Sequence, residues 1–128
     1  MAYKETLQKK SVSQLKAIAV RHFHKFIRTR DKDLPCISCG RYTKLQAGHF
    51  YSASNSSVRF NEDNVNGQCI QCNHFLSGNL LPYRQNLIKK IGQERVDKIT
   101  LNVEMSKKFG FKWSRLFLIE TILKYKEL

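Results

Sequence analysis

Four cysteines in two pairs carry the first chemistry legible in this chain: Cys36-Ile37-Ser38-Cys39-Gly40 and Cys69-Ile70-Gln71-Cys72-Asn73. Two residues between paired cysteines let both sulfurs of a tight backbone knuckle face one ion, and two knuckles complete a tetrahedral four-thiolate zinc site. Gly40 suits the chain reversal that ends the first knuckle. Two disulfides are the alternative. The spacing disfavours them, as does the lack of a secretory signal near Met1, where Lys4, Glu5, Lys9 and Lys10 interrupt any apolar run. The expectation is one structural zinc ion held by Cys36, Cys39, Cys69 and Cys72.

The segment between the knuckles adds further groups. Gln46-Ala47-Gly48-His49-Phe50-Tyr51 precedes a small-residue loop, Ser52 to Ser57, and Val58 to Gln68 leads into Cys69. Aromatic and β-branched residues on both sides of the loop predict a β-hairpin, with His49 near the end of its first strand. Asn73 directly follows the last cysteine, where a helix is expected to start. Zinc knuckles at both ends would thus fix a strand-borne histidine beside a helix-borne asparagine.

The order His49, Asn64, Asn73, threaded through the two cysteine pairs, resembles the HNH (His-Me finger, ββα-metal) nucleases. A closer resemblance is to the lambdoid NinG recombination proteins. It is carried by Asp33-Leu34-Pro35-Cys36-Ile37-Ser38-Cys39-Gly40, Ala47-Gly48-His49, Arg59-Phe60-Asn61-Glu62, Gln68-Cys69, Ser77-Gly78-Asn79-Leu80, Pro82-Tyr83-Arg84 and Ile91-Gly92-Gln93-Glu94. The resemblance implies a metal-dependent endonuclease of phage recombination that hydrolyses phosphodiester bonds in branched DNA, such as Holliday junctions or displacement loops. It places the protein in the cytoplasm of a bacterial host.

Within that resemblance, His49 is the expected general base, since a neutral imidazole accepts a proton from water near neutral pH. Asn73 is the expected ligand of a catalytic Mg2+ or Mn2+, whose preference for oxygen a carboxamide satisfies. Asn64 is expected to hold the hairpin loop and orient His49. Many HNH enzymes carry an Asp directly before the catalytic His as a second ligand, but here Gly48 stands there. The ion is then held by Asn73 with water and phosphate, or also by His74, Asp63 or Glu62. Gly48→Asp is expected to tighten metal binding if the neighbouring backbone accepts a side chain. Arg59 and Arg84 are candidate phosphate clamps. The competing readings are a non-catalytic zinc-finger DNA-binding recombination accessory protein, which Gly48 favours, and an RNA-binding or protein-interaction zinc domain. Paired cuts across a four-way junction would favour a homodimer, although no interface is evident.

Charge and composition agree with a nucleic-acid partner. The 128 residues carry 23 Lys+Arg against 10 Asp+Glu, a formal charge of +13, and 41% are hydrophobic. The chain is therefore globular, with a polyanion as its natural partner. No run approaches the roughly 20 apolar residues that cross a membrane.

The elements that must position these groups are mostly helical. Residues 1–10 are polar and expected to be flexible, and 11–128 form the expected single domain. Ser11 and Gln14 make a capping box. It opens a helix over 12–29 with an apolar stripe (Val12, Leu15, Ile18, Ala19, His22, Phe23, Phe26) and a basic face (Lys10, Arg21, Lys25, Arg28) that is a candidate DNA contact. Pro35 ends that helix region, and the zinc and active-site unit occupies 34–79. A short helix is expected from about Asn73 to Gly78. Further helices follow over 82–128: one from Pro82 to Gly92, a short one from Gln93, a basic loop over 105–112, and a last helix capped by Ser114. The expected fold is α+β, mostly α, a zinc-stapled ββα unit surrounded by helices.

Overall fold

The computed structural model describes residues 2–127. Five α-helices and one two-stranded sheet occur among them: α1 (Ala2–Gln8), α2 (Val12–Arg30), β1 (Gln46–His49), β2 (Val65–Gln68), α3 (Leu80–Ile91), α4 (Gln93–Phe109) and α5 (Arg115–Tyr125). A 3-10 turn (Ser56–Val58) lies inside the hairpin loop, and a single π-type turn (Gln71–Phe75) follows β2. The mostly helical α+β expectation holds.

The chain divides into two compact units, one of residues up to Phe26 and from Lys112 on, the other Ile27–Phe111. In the first unit, the capping box forms as the sequence predicts. Ser11 N donates to Gln14 Oε1 at 2.9 Å, and Gln14 N donates to Ser11 Oγ at 3.1 Å. Within residues 1–10, Ala2–Gln8 form α1, and its Leu7 is fully buried. Its C-terminal end is held from α5, where Arg115 donates to the Gln8 carbonyl at 2.7 Å. Phe23 meets Tyr125 edge to face at 5.0 Å, and the Ser114 side chain caps α5 by accepting from Phe117 N. His22 is half-buried on the flank of the apolar stripe.

The second unit holds the cysteines and the hairpin. β1 and β2 pair antiparallel in the register Gln46↔Gln68 to His49↔Val65. Behind the hairpin, Ile37, Val58, Tyr83, Leu87, Val96 and Ile99 form the main core. Cys36, Leu45, Cys69 and Cys72 form a separate small cluster.

Three helix boundaries differ from expectation. The helix expected from Asn73 is only the π-type turn Gln71–Phe75. The chain then passes through three consecutive positive-φ residues, Ser77 (52°), Gly78 (96°) and Asn79 (41°), which no right-handed helix accommodates. α3 starts at Leu80, ahead of Pro82, which is free of strain because the first-turn N–H groups have no intrahelical partner. α4 runs through the expected 105–112 loop as far as Phe109. Val96, Ile99 and Val103 give it a continuous buried stripe, and only Gly110, at φ 83°, stops it.

Candidate metal centre and hairpin site

The two knuckles close on each other. The four cysteine sulfurs lie within 4.8 Å of one another, and Cys39 Sγ stands 3.7 Å from Cys69 Sγ. Zinc–sulfur bonds of about 2.3 Å put the corners of a tetrahedron about 3.8 Å apart, so the donor set fits a structural zinc ion. The backbone is folded to serve it. Cys36 N donates to Arg41 O at 2.9 Å and Gly40 N to Cys36 O at 2.9 Å, with Gly40 at φ 77°. The sulfurs accept hydrogen bonds that spread thiolate charge. Cys36 Sγ takes them from Cys69 N (3.3 Å) and Cys39 N (3.5 Å), and Cys72 Sγ takes one from Asn79 Nδ2 (3.4 Å). Arg41 reaches Cys69 Sγ at 3.8 Å, a cation beside a site of net negative charge. Among the described residues, these cysteines are the only group of three or more His, Cys, Asp or Glu side chains placed to hold an ion.

The hairpin carries His49 at the end of β1, half-buried and paired with Val65. Asn64, fully buried, acts as a clamp on the loop. Its Oδ1 accepts from Tyr51 N at 2.8 Å, and its Nδ2 donates to Tyr51 O at 3.0 Å and Val58 O at 3.2 Å. Its own carbonyl accepts from Phe50 N at 2.8 Å, next to His49. Asn73 N donates to Cys69 O at 2.9 Å, so its position is set by the second knuckle. Its Nδ2 reaches Gln46 Oε1 at 2.9 Å on the same hairpin, leaving Oδ1 without a donor among the described residues.

Asp63 is paired with Arg95, whose Nε donates to Oδ2 at 3.0 Å. His74 stacks edge to face on Phe75 at 4.9 Å, and the Glu62 carbonyl accepts from Arg30 Nη1 at 3.0 Å. An ion at Asp63 would have to compete with Arg95 for the carboxylate. Gly48→Asp is corrected. A Cβ at Gly48 would fall 2.1 Å from Gln68 Oε1 and 2.7 Å from Gln68 Cβ, so the neighbouring side chain fills the space a carboxylate would need.

Of the candidate clamps, Arg59 donates Nη1 to Ala53 O at 3.0 Å, and its buried Nε meets no acceptor among the described residues. Burial pushes its pKa down from the usual guanidinium value. Arg84 is exposed on α3, and Arg21, Lys25 and Arg28 are exposed on α2, with Lys10 partly exposed before it.

A buried ion network behind the hairpin escaped the sequence reading. Asp31 takes Arg30 Nε on Oδ1 at 2.8 Å and Gly67 N on Oδ2 at 2.8 Å, with Lys90 Nζ at 3.5 Å. Arg30 Nη2 also donates to Val65 O at 2.9 Å, which anchors the start of β2. Burial raises the Asp31 pKa, but the hydrogen bonds from Arg30 and Gly67 and the Lys90 charge outweigh it and hold the carboxyl below its usual range. The only signal in the sequence was an Arg-Asp pair at a helix end, where Asp31 reads as a terminator.

The site thus defines a small, mostly helical protein in which a cluster of four cysteines, placed to hold a metal ion, clasps a two-stranded hairpin. A family model described as Bacteriophage Lambda NinG protein matches residues 2–127. The chain belongs to the NinG family of lambdoid phages. It is 56% identical over 80 residues to protein ninG of Escherichia phage lambda, an alignment covering 60% of this chain and 39% of that protein. It is 55% identical over 80 residues to protein ninG of Escherichia phage 933W (60% and 40%), and 53% identical over 77 residues to protein ninG of Salmonella phage P22 (58% and 38%). The aligned segment thus spans about two-fifths of the length of these relatives. No solved structure matches the chain. No described helix is long and apolar enough to cross a membrane.

Proposed function

We propose that this chain is a metal-dependent endonuclease of the HNH type, cutting branched DNA such as Holliday junctions or displacement loops during phage recombination. The observation that supports the reading is that His49 ends β1, Asn64 clamps the loop that follows it, and Asn73, set by the second knuckle, is bonded to Gln46 of the same strand. A hydrolytic site of that type uses a general base, a residue that steadies it, and an oxygen ligand for the ion. His49 takes the proton from the attacking water, because imidazole titrates close to working pH. Asn64 keeps the loop, and with it the His49 backbone, from shifting. Asn73 offers its open Oδ1 to a divalent ion that prefers oxygen donors, Mg2+ or Mn2+. Bound there, that ion would supply electrostatic stabilisation at the scissile phosphate and leaving oxygen. Arg59, with a buried Nε lacking an acceptor, and exposed Arg84 are the phosphate-gripping candidates, and the excess of cations draws DNA in. Paired incisions at a four-way junction would call for two copies of the chain.

A second reading, a zinc-stapled DNA-binding module without catalysis, is favoured by the missing carboxylate at Gly48. A nicking time course separates the two, with zinc-loaded protein, Mg2+ or Mn2+, and matched linear and four-way DNA. Preferential cutting of the branched substrate supports the nuclease. Tight binding with no cutting in any divalent ion supports the module.

A further inference from the structure

Gly48 lies in extended backbone in β1, so no unusual dihedral requires a glycine there. What requires it is the side chain of Gln68. That side chain is fully buried and its Oε1 sits where a residue-48 side chain would begin, 2.1 Å from an ideal Cβ. The bond to a carbonyl fixes which amide atom is nitrogen: Nε2 donates to Gly78 O at 2.6 Å and also to Ser38 Oγ at 2.9 Å. The oxygen itself accepts nothing among the described residues. A buried acceptor left unsatisfied is costly and uncommon, and it calls for a partner.

The register says which side of the hairpin this oxygen occupies. Gln46 pairs with Gln68 and Gly48 with Asn66, so the side-chain positions of all four share one face. Asn73 approaches that same face, where its Nδ2 meets Gln46 Oε1. Gly78, which holds Gln68 Nε2, is itself tied to the knuckle by Gly78 N donating to Cys72 O at 2.8 Å. Two carboxamide oxygens without donors, Gln68 Oε1 and Asn73 Oδ1, are therefore carried on one face by the same zinc-anchored segment.

We propose that Gln68 Oε1 is the second protein ligand of the catalytic divalent ion, doing from β2 what a carboxylate directly before the histidine does from β1 in many HNH enzymes. The inference rests on the endonuclease reading above. Both protein ligands are then neutral amides, acceptable to Mg2+ or Mn2+, and neither offsets the ion's charge. Ion binding is accordingly weak in the free protein and strengthens when DNA phosphate joins the site. Gly48 and Gln68 form an exchangeable pair, since a carboxylate fits at 48 only when 68 is cut back.

The test measures Mn2+ affinity by electron paramagnetic resonance, alone and with uncut four-way DNA after subtraction of a DNA-only blank. It also follows the Mn2+ dependence of cleavage, with zinc content and DNA affinity as controls. Gln68→Met keeps the length and removes the oxygen. It is expected to weaken Mn2+ binding at least about ten-fold while zinc content, and DNA affinity measured without Mn2+, stay at wild-type levels. Gly48→Asp alone is expected to displace Gln68 and lose zinc or thermal stability. Gly48→Asp combined with Gln68→Ala is expected to keep zinc and bind Mn2+ at least as tightly as wild type. Should Gln68→Met lose zinc, the double variant decides: zinc retained without Mn2+ binding overturns the proposal. Unchanged Mn2+ affinity in zinc-loaded Gln68→Met also overturns it, leaves the nuclease reading intact, and makes Gln68 a space-filler. A wild-type protein that binds no Mn2+ and cuts no DNA overturns both.

Discussion

Tyr83, fully buried in α3, donates its hydroxyl to the carbonyl oxygen of Gly48 at 2.7 Å and accepts from Asn66 Nδ2 at 3.2 Å. One phenol thus joins both strands of the hairpin immediately before His49. Burial raises its pKa well above the usual phenol value, so the hydroxyl remains a donor at any working pH. Tyr83→Phe is expected to remove one of the hydrogen bonds that hold the Gly48 carbonyl and cost about 0.5–1.5 kcal/mol in urea unfolding. It should also slow cleavage more than it weakens DNA binding, because it loosens the strand end and touches no phosphate. Wild-type stability in Tyr83→Phe would show that the bond holds nothing.

Metal binding at the four-cysteine cluster should be inseparable from folding of the second unit. Cys69→Ser or Cys72→Ser is expected to abolish metal binding and the cooperative melting transition, since zinc-binding energy is folding energy in so small a cluster. Metal content and thermal melting are the measurements. A variant that lost no zinc and melted like wild type would rule out the four-cysteine site.

Asp31 gives the protein an acid limb with a definite sign. Its folded pKa lies below the unfolded value near 3.9, so its stabilisation is complete above that value and is lost as pH falls through the folded pKa. Urea midpoints should therefore hold steady at neutral pH with respect to this group and drop below about pH 4. Asp31→Asn should flatten that limb. At neutral pH it should also cost at least about 2 kcal/mol, because the charge facing Arg30 and Lys90 is lost and one of the two oxygens that accept from Arg30 and Gly67 N becomes an NH2 donor. An unaltered acid limb in Asp31→Asn would assign it to other carboxylates.

His49 and Asn73 should fail differently. His49→Ala is expected to cut the cleavage rate by about 10²–10⁴-fold with zinc content and DNA affinity intact. Asn73→Ala should lose cleavage too, but raised Mn2+ should restore part of it, which it cannot do for His49→Ala. Full activity in His49→Ala would remove the mechanism proposed above.

DNA binding should weaken steeply with salt. With a formal charge of +13, several phosphates are neutralised on binding, and the slope of log affinity against log salt should exceed about four in magnitude. A nearly flat dependence would point away from nucleic acid.

The sequence by itself determined the parts whose signal is local. The cysteine pairs announce their cluster because two intervening residues leave a knuckle little freedom. Ser11 with Gln14 and Ser114 with Phe117 N cap helices at the expected places, since both partners lie within one turn. His49 ends its strand as the residue pattern predicts. Tertiary structure alone decided what depends on distant residues. Whether residues 2–8 form a helix turned on the burial of Leu7, and how far α4 extends turned on the burial of Val103. The partnership of Asp31 with Arg30, Gly67 and Lys90 joins three separate segments, and nothing in the spelling of Asp31 marks it as buried. Gly48 is the sharpest instance. In the sequence it is a ligand position without a side chain, but in the fold its space is taken by Gln68 from the opposite strand, because antiparallel pairing brings residues twenty positions apart onto one face.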